Sequence, residues 1–468
     1  MDKRINILLI NPPWEKPLGD MRAKFKVVSC LPSLGLGYLA SSLEKKGHEV
    51  NILDLNIQRM DASALAQFLK LKNSKPSFVG ITSTATTIYR AFEIAEVCKI
   101  VFPDAKVVLG GVQPTVMPEV VLSNKFVDYV IRGEGEYVFL ELIEGRDIRT
   151  IQGLSYKIEN KFIHNPNQAP IQDLDKVPFP AYHLFSINKY HPPQGLFRRL
   201  PAINLITSRG CPFRCTYCAT QTIWPGKIRF RSIDNVIEEL RELVARYRIR
   251  EISFSDDTLV SVRSRIVELC EKILKNGINI TWSCNAIVNF VDQEVLRLMK
   301  KAGCHHICYG IESADQQILK NINKHIKLED AREAMRLTKR VGISCRASFM
   351  FGNPGETSDS MKKTLDFALA SNPDFALFNI TTPYPGTPLY QWAKEKGYLI
   401  SEDYSLYTAS KCLMNLPTVS SQEIDEFTRF AWKKFYSRPS YCFERILKIR
   451  SIYDLKAYGK AFFSLLRF

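Results

Sequence analysis

The chain has 468 residues, of which 46% are hydrophobic and 24% are charged, a balance that predicts an ordinary globular protein of two or three domains. Its 64 Lys and Arg exceed its 48 Asp and Glu by 16, which favours anionic partners such as phosphate, nucleic acid or a membrane surface. Apart from one triplet the twelve cysteines are scattered, which argues against a disulfide framework and for a reducing compartment.

The first residues, MDKRINILLI, contain charged side chains followed by a short apolar run. The run stops at Asn11-Pro12-Pro13 without a small-residue cleavage site, so we predict a first strand and no signal peptide. No stretch reaches the roughly 20 apolar residues that a membrane-spanning helix needs. We therefore predict a cytoplasmic protein, with peripheral contact at a membrane surface left open.

From residue 5 to about 145, strand-like runs alternate with helical patterns, which predicts a doubly wound parallel sheet in a domain over residues 1–145. The runs are INILLIN, VNILDL, FVGITS, KVVLGG and VDYVIRG. Small residues follow several of these runs, at the carboxyl ends of strands where open α/β sheets bind ligands. We expect this domain to hold a sizeable ligand.

Residues 146–200 break the alternation with a predicted hairpin, GLSYKI and KFIHNP, and a proline-rich segment, VPFPAYHLF. Proline excludes a regular helix or central strand there, so we interpret this stretch as a linker. A second alternation over residues 201–420 predicts a parallel barrel or partial barrel of six βα units, followed by a C-terminal region at 421–468. Its strand candidates are INLITS, EISFSDD, NITWSCNA, HHICYGIES, CRASFMFG and FALFNITTPY.

Three cysteines, Cys211, Cys215 and Cys218, lie within eight positions in the segment SRGCPFRCTYCAT. A structural zinc site normally has four ligands, so three cysteines without an obvious fourth indicate a metal centre with one open coordination position. An open position is typical of a reactive centre. A zinc knuckle and buried thiols remain as alternatives.

With Tyr217 before Cys218, just after the first strand of a βα array, this triplet resembles the signature of radical S-adenosylmethionine enzymes. The resemblance implies that the three thiolates bind a [4Fe-4S] cluster and leave one iron free for the amino and carboxylate groups of S-adenosylmethionine. It further implies reductive cleavage of the sulfonium to a 5′-deoxyadenosyl radical, which removes hydrogen from an unreactive carbon.

Three later segments, FSDD, YGIES and GNPGE, end strands of the second array and resemble family segments that contact S-adenosylmethionine or substrate. By this resemblance we place Glu312 at the ribose or amino end of the ligand. The cofactor contacts predicted around the cluster are Tyr217, Asp256, Asp257, Glu312, Ser313 and Gly352.

The first domain, with VVLGGVQPTVMPE and VDYVIRGEGE, resembles the cobalamin-binding domain of the B12-dependent branch of that family. This branch includes hopanoid methylases and the oxidative cyclase of bacteriochlorophyll synthesis, and the resemblance covers about residues 5–420. Candidate contacts to the corrin amides and nucleotide tail are the hydroxyls of Thr82, Ser83 and Thr84 and the backbone amides of Gly110, Gly111, Gly133 and Gly135. A degenerate scaffold that binds no cobalamin is the alternative.

The loop after the first strand, NPPWEKPLGD, departs from other cobalamin proteins because it lacks the Asp-x-His-x-x-Gly motif. We therefore predict cobalamin without a protein imidazole on cobalt. His48 lies at a helix-to-strand turn opposite the ligand end of the sheet, so it is not an axial-ligand candidate. His305 and His306 fit a packed strand better than a metal site.

The resemblance implies methylation of an unactivated carbon, with methylcobalamin as the methyl donor and a second S-adenosylmethionine to restore it. Radical oxidation, hydration or ring closure on the same cofactors is the alternative within the branch. Implied partners are a small-molecule substrate and an electron donor such as flavodoxin or ferredoxin. A zinc or nucleic-acid-binding protein is the non-enzyme alternative, although no RNA-binding module is recognisable and no nucleic acid is expected.

The segment 429–468 has ten Lys or Arg against Glu444 and Asp454, and it also contains eleven aromatic residues. This composition is typical of an amphipathic helix at a membrane interface, and equally of a helical cap packed on the barrel. We hypothesise peripheral membrane association through this segment and a lipid or other hydrophobic substrate.

Overall fold

The computed structural model describes residues 4–14, 30–71, 75–190, 192–193 and 196–447. Its first half forms a seven-stranded sheet in the order β2-β1-β3-β4-β5-β6-β7, in which β1 to β5 are parallel and β6 and β7 are antiparallel. The strands are β1 (Asn6–Asn11), β2 (Glu49–Asp54), β3 (Phe78–Thr82), β4 (Lys106–Gly110), β5 (Tyr129–Ile131), β6 (Leu154–Ile158) and β7 (Lys161–His164). The five parallel strands are those predicted, and the hairpin that we placed in the linker extends this sheet.

Helices cover both faces of the first sheet. Alternate residues of β1 divide between two cores, because Ile7 packs with α1 and α7 whereas Leu8 packs with α3 and α4. The helices are α1 (Leu34–Glu44), α2 (Leu55–Gln58), α3 (Ala62–Lys70), α4 (Ile88–Val101), α5 (Val112–Val116), α6 (Pro118–Leu122) and α7 (Gly135–Ile143). The doubly wound architecture is therefore confirmed.

The second half contains a six-stranded sheet in the order β15-β14-β13-β12-β11-β8, with every pair parallel. Strands β8 and β15 are its two edges, so it is the predicted partial barrel. A two-residue antiparallel pair, β9 with β10, lies before and after the cysteine triplet. The strands are β8 (Ala202–Leu205), β9 (Ser208–Arg209), β10 (Arg229–Phe230), β11 (Glu251–Phe254), β12 (Thr281–Ala286), β13 (Cys304–Glu312), β14 (Ser344–Phe351) and β15 (Phe375–Ile380).

Amphipathic helices cover the outer face of the partial barrel. In α9 the side chain of Ser232 accepts a hydrogen bond from Asn235 N, and Val236, Leu240 and Leu243 recur at helical spacing on the buried face. The helices are α8 (Thr220–Ile223), α9 (Ile233–Tyr247), α10 (Arg263–Lys275), α11 (Gln293–Lys301), α12 (Gln316–Asn321), α13 (Leu328–Arg340), α14 (Ser358–Ser371), α15 (Pro388–Glu395), α16 (Ser421–Tyr436) and α17 (Pro439–Leu447).

The described part of the C-terminal region packs on the outside of β15. Phe435 is fully buried, Trp432 Nε1 donates to the carbonyl of Phe378 at 2.8 Å, and Tyr436 Oη donates to that of Ala376 at 2.8 Å. Residues 429–447 thus form a helical cap, whereas residues 448–468, which carry the rest of the predicted membrane contact, lie outside the described residues. Within the described ranges, no helix is both long and apolar enough to cross a membrane.

Candidate active site

The cysteine triplet lies in the loop between β9 and α8, and hydrogen bonds fix the course of that loop. Gln221 Nε2 donates to the carbonyls of Cys211 at 2.7 Å and Phe213 at 3.1 Å. The amide of Thr216 donates to the carbonyl of Ile322 at 3.0 Å, which ties the loop to the segment after α12. The backbone around the three thiols is therefore held from two sides.

All three thiols are free and partly exposed. Burial, together with smaller effects of the charges of Asp257, Cys218 and Cys215, raises the pKa of the Cys211 thiol to about 11, so the three cysteines are close enough to interact. Burial also raises the pKa of Cys215, although the nearby Lys324 opposes this. No group of three or more His, Cys, Asp or Glu side chains in the described ranges has the geometry to hold a metal ion.

Glu312 and Tyr217, predicted as separate cofactor contacts, meet beside the triplet. The register of β13 against β14 shifts between Gly310 and Glu312, and Glu312 has a φ of +70°, so the end of the strand turns its carboxylate sideways. Tyr217 Oη donates to Glu312 Oε1 at 3.1 Å. A Cβ at Gly310 would lie 2.3 Å from Glu312 Oε1, so glycine makes room for this carboxylate.

Lys324 completes this group, although no motif in the sequence indicates it. Its Nζ lies 3.3 Å from Glu312 Oε1, and its side chain is only 13% exposed. Burial lowers the pKa of Lys324, but the charges of Glu312 and Cys215 outweigh burial and leave the pKa above its usual value. A buried ammonium group therefore lies between the carboxylate and the triplet at neutral pH.

The adjacent carboxylates Asp256 and Asp257 have different surroundings. Asp256 is buried, and its oxygens accept hydrogen bonds from Thr207 N at 3.0 Å, Thr207 Oγ1 at 2.9 Å and the hydroxyl of Ser208. It thus fixes the backbone that leads from β8 to the triplet. Asp257 is exposed and accepts from Thr220 Oγ1 at 3.2 Å, while that hydroxyl also lies 3.2 Å from Cys218 Sγ.

Ser313 and Gly352 have packing roles in the structure. Ser313 is fully buried, with its Oγ 3.2 Å from Thr364 Oγ1 and accepting from the amide of Asp315 at 3.1 Å. Gly352 has a φ of +88°, and a Cβ there would lie 3.3 Å from Ile424 Cδ1 of the C-terminal cap. Contact of either residue with a cofactor stays a prediction.

At the carboxyl edge of the first sheet, the loops after β3 and β4 touch. Gly111 has a φ of +100°, and a Cβ there would lie 2.8 Å from both Ser83 O and Thr82 Oγ1, so only glycine permits this approach. Thr84 N donates to Thr87 Oγ1 at 2.9 Å in the turn that precedes α4. Two buried polar atoms at this edge, Ser83 Oγ and Gln113 Nε2, have no hydrogen-bond partner among the described residues.

The loop after β5 connects this edge to the cysteine triplet. Gly133 and Gly135 flank Glu134, which pairs with Arg209 at 2.7 Å and Arg229 at 2.9 Å. Glu136 pairs with Arg209 at 2.6 Å, and these charged side chains are all less than 10% exposed. Because Arg209 precedes Cys211 by two residues, buried ion pairs hold the predicted cobalamin edge against the triplet.

The histidines considered above lie away from this edge. His48 Nδ1 accepts from the amide of Ile5, before β1 begins, which is the end of the sheet opposite the predicted cobalamin site. His305 Nε2 lies 2.7 Å from Glu251 Oε1 in the buried interior of the barrel. Neither contacts the cysteine triplet.

Two family models match the chain: a radical SAM superfamily model over residues 205–368 and a B12 binding domain model over residues 23–143. The chain is 36% identical over 442 residues to an uncharacterized methyltransferase of Pyrococcus horikoshii, covering 93% of this chain and 94% of that protein. It is 29% identical over 449 residues to the anaerobic magnesium-protoporphyrin IX monomethyl ester cyclase of Rubrivivax gelatinosus, covering 93% and 78%.

The fold is also similar to that of OxsB, a cobalamin-dependent S-adenosylmethionine radical enzyme solved with aqua-cobalamin and S-adenosylmethionine bound. The TM-score is 0.76 over 99% of this chain and 72% of that chain, at 18% sequence identity. At this identity the likeness supports the fold alone, and it confirms the predicted two-part α/β architecture. Together with the family models and the 36% identical relative, these observations show that the chain belongs to the cobalamin-dependent radical S-adenosylmethionine enzymes.

Proposed function

We propose that this enzyme methylates an unactivated carbon, using a [4Fe-4S] cluster on Cys211, Cys215 and Cys218 together with S-adenosylmethionine and cobalamin. The observation that supports the proposal is the set of buried ion pairs that joins Glu134 and Glu136, after β5, to Arg209, two residues before Cys211. The relative that shares 36% identity over 93% of this chain is called a methyltransferase, which favours methyl transfer.

The residues beside the triplet fit S-adenosylmethionine. Both hydrogen bonds to Glu312 reach Oε1, so we assign Oε2 to the ribose or amino end of the ligand. The ammonium group of Lys324 lies 3.3 Å from Oε1, and a carboxylate oxygen can accept hydrogen bonds from hydroxyl and ammonium groups. When bound, the cluster supplies the electron that cleaves S-adenosylmethionine, and cobalamin supplies the methyl group.

The edge of the first sheet fits a ligand rich in amide groups. Ser83 Oγ and Gln113 Nε2 are buried without partners among the described residues, and the amide side chains of a corrin would satisfy both. A Cβ at Gly133 would meet no atom within 4 Å, so the space above this loop is open. We therefore propose that Thr82, Ser83, Thr84, Gly110, Gly111, Gly133 and Gly135 line the cobalamin site.

The cluster assignment is tested by anaerobic reconstitution. We expect about four iron and four sulfide per chain in the wild type, and their loss when all three cysteines are replaced by alanine. The matched control replaces Cys270, Cys345 and Cys412, which are buried elsewhere, by alanine and should retain the cluster. Zinc without iron in the wild type would support the non-enzyme alternative.

The cobalamin assignment is tested by gel filtration with hydroxocobalamin. Retention of the corrin by the wild type, and weaker retention by a Gly111→Val variant, support the site. Failure of the refolded wild type to retain hydroxocobalamin would favour a degenerate scaffold instead.

Radical ring closure or oxidation is the second candidate, because the 29% identical relative is called a cyclase. A half-reaction without substrate separates the two. Enzyme with reduced cobalamin and methyl-labelled S-adenosylmethionine should form S-adenosylhomocysteine and labelled methylcobalamin. Methionine and 5′-deoxyadenosine without S-adenosylhomocysteine would decide for the second candidate.

We further propose an electron donor such as flavodoxin or ferredoxin, because the cluster needs an external reductant. The basic, aromatic composition of 429–468 supports the hypothesis of a membrane contact, although residues 429–447 pack as a cap. Co-sedimentation with anionic liposomes at low and high salt, with the full chain and with a chain ending at residue 447, tests it. If the full chain ignores anionic vesicles at low salt, the contact does not exist.

A further inference from the structure

The inner face of the partial barrel is lined by polar side chains in two rows that follow the strand register. The lower row is Asn204, Ser253, Ser283, His306 and Ser344, one from each of five neighbouring strands. The next row, two residues further along β12, β13 and β14, contains Asn285, Cys308 and Arg346, and Phe375 of β15 pairs with Arg346. Intervening residues such as Ile252, Ile307 and Cys345 belong to the core under the outer helices, so both rows face the lumen.

This lumen is open to solvent along β14 and β15. In β14 partly exposed residues alternate with buried ones, and Ser344, Arg346, Ser348 and Met350 are the partly exposed residues. In β15 Leu377 and Asn379 alternate in the same way. Solvent therefore reaches these side chains on the lumen face of β14 and β15.

Arg346 is partly exposed and differs in its partners from three buried arginines of the described chain. Arg209, Arg231 and Arg445 each pair with a carboxylate. Arg346 donates from Nε to Cys308 Sγ at 3.1 Å and forms no ion pair with a carboxylate of the described residues. The nearby Asp374 pairs with Arg445 instead. Arg346 is partly exposed, so its guanidinium has donors free for a ligand in the lumen.

A second observation at the same place also indicates a ligand. His306 is only 2% exposed, and neither of its ring nitrogens has a hydrogen-bond partner among the described residues. Burial, with help from the charge of Arg346, lowers the pKa of His306 to about 3, so its ring is neutral. The Oδ1 of Asn204 in the same row also lacks a partner. The unpaired ring nitrogens of His306 therefore lie on the strand next to Arg346, and Asn204 is at the far edge of the same row.

We propose that Arg346 binds an oxyanion group of the substrate, a carboxylate or a phosphoryl group, in the lower part of the lumen. The inference rests on the proposed function and names the class of its substrate. Cys308 and Glu312 are four residues apart on β13, about 13 Å, so a small molecule anchored at Arg346 can extend to the cofactor site. An uncharged isoprenoid lipid would leave the guanidinium unpaired, so a lipid substrate must carry an anionic group at this end.

Cys308 provides a reporter for this site, because its thiol contacts Arg346 and is partly exposed. The reconstituted enzyme is alkylated anaerobically with iodoacetate, which is anionic, and separately with neutral iodoacetamide, and the rate at Cys308 is read by peptide mass spectrometry. The ratio of the two rates cancels any change in thiol pKa. We expect an Arg346→Gln variant to lower this ratio about fivefold, and Arg346→Lys to preserve it. The control Arg297→Gln removes an exposed charge on α11 and should leave the ratio unchanged.

Inorganic phosphate and acetate, compared at equal ionic strength, then identify the anion. Stronger protection of Cys308 by phosphate assigns a phosphoryl group, and stronger protection by acetate assigns a carboxylate. The proposal would be overturned by any of three results. The rate ratio could be equal in wild type and Arg346→Gln, Cys308 could react with neither reagent, or neither anion could protect Cys308. None of these measurements needs methyl transfer, so failure of this site is distinguishable from failure of the proposed function.

Discussion

Arg209 donates a hydrogen bond from Nη2 to Oε1 of Glu136 at 2.6 Å, and both side chains are buried. Arg209 belongs to the strand that leads into the cysteine triplet, whereas Glu136 lies in the first turn of α7 in the other half of the chain. Glu134 accepts from the same guanidinium on its other side. The two halves are thus joined by charges that water cannot reach.

Replacement of Arg209 by methionine should destabilise the cofactor-free chain strongly. It would leave two buried carboxylates with less counter-charge, and removal of one partner of a buried ion pair typically costs about 3–5 kcal/mol. Urea unfolding of wild type and variant measures the change in the free energy of unfolding. Arg214→Met, an exposed arginine of the same loop, should change it by less than about 0.5 kcal/mol.

The double variant Arg209→Met/Glu136→Met gives an internal check. Since it removes both charges of one pair, we expect it to be more stable than Arg209→Met alone. A double variant that is less stable by the sum of the two single changes would contradict a direct interaction.

Acid should weaken the same junction. Burial raises the pKa of Glu134, but the hydrogen bonds and charges of Arg229 and Arg209 outweigh it and leave the pKa below its usual value. The ionised carboxylate therefore contributes stability that is complete above the unfolded pKa of about 4.3 and is lost as pH falls through the lower folded value.

We expect the free-energy difference between wild type and Glu134→Gln to be constant above about pH 5 and to shrink below about pH 4. Urea unfolding at a series of pH values measures it. Glu141→Gln, which removes one member of a surface pair with Arg146, should give a small difference at every pH. If the free-energy difference between wild type and Glu134→Gln grew on acidification, the sign of the pKa shift of Glu134 would be wrong.

The architecture followed from the sequence because strand periodicity and glycine-rich strand ends are local signals. Side-chain direction at the strand ends is not local: Asp256 turns inward to Thr207, and Ser313 turns to Thr364, although both follow a strand within a recognisable segment. Lys324 had no signal in the sequence, because the turn after α12 brings it back to Glu312 only in the folded chain. The partners of Arg209 were equally unpredictable from spacing.

Lys324 should tune the cluster. Its ammonium group lies near Cys215 and favours the more negative, reduced form of a bound cluster. We expect Lys324→Met to lower the reduction potential by roughly 50 mV, because net charge is one determinant of cluster potentials. A spectroelectrochemical titration measures this, and Lys327→Met, an exposed lysine three residues on, is the matched control. An unchanged potential would show that Lys324 only orders Glu312.

The C-terminal cap should contribute to the stability of the barrel. Phe435 of α16 is fully buried against β15, whereas Phe430 on the same helix is 52% exposed. We expect Phe435→Ala to cost about 3–5 kcal/mol and Phe430→Ala less than about 0.5 kcal/mol in urea unfolding. Equal effects of the two changes would mean that the cap does not pack as described.

Bound cob(II)alamin should show no histidine on cobalt. His48 contacts the amide of Ile5 at the far end of the first sheet, and the loop after β1 contains no histidine. Electron paramagnetic resonance spectra of enzyme labelled with ¹⁵N-histidine and of unlabelled enzyme should therefore be identical. A difference in the nitrogen hyperfine splitting would contradict the missing ligand.

The junction at Arg209 also limits how the two halves can be recombined by design. A chimaera that takes residues 1–145 from a relative inherits whatever that protein carries in place of Glu134 and Glu136, opposite the Arg209 and Arg229 of this chain. A donor with neutral side chains there would bury two unmatched guanidinium groups, one of them two residues before Cys211. Compatible donors can therefore be chosen by these four positions before any substrate preference is considered.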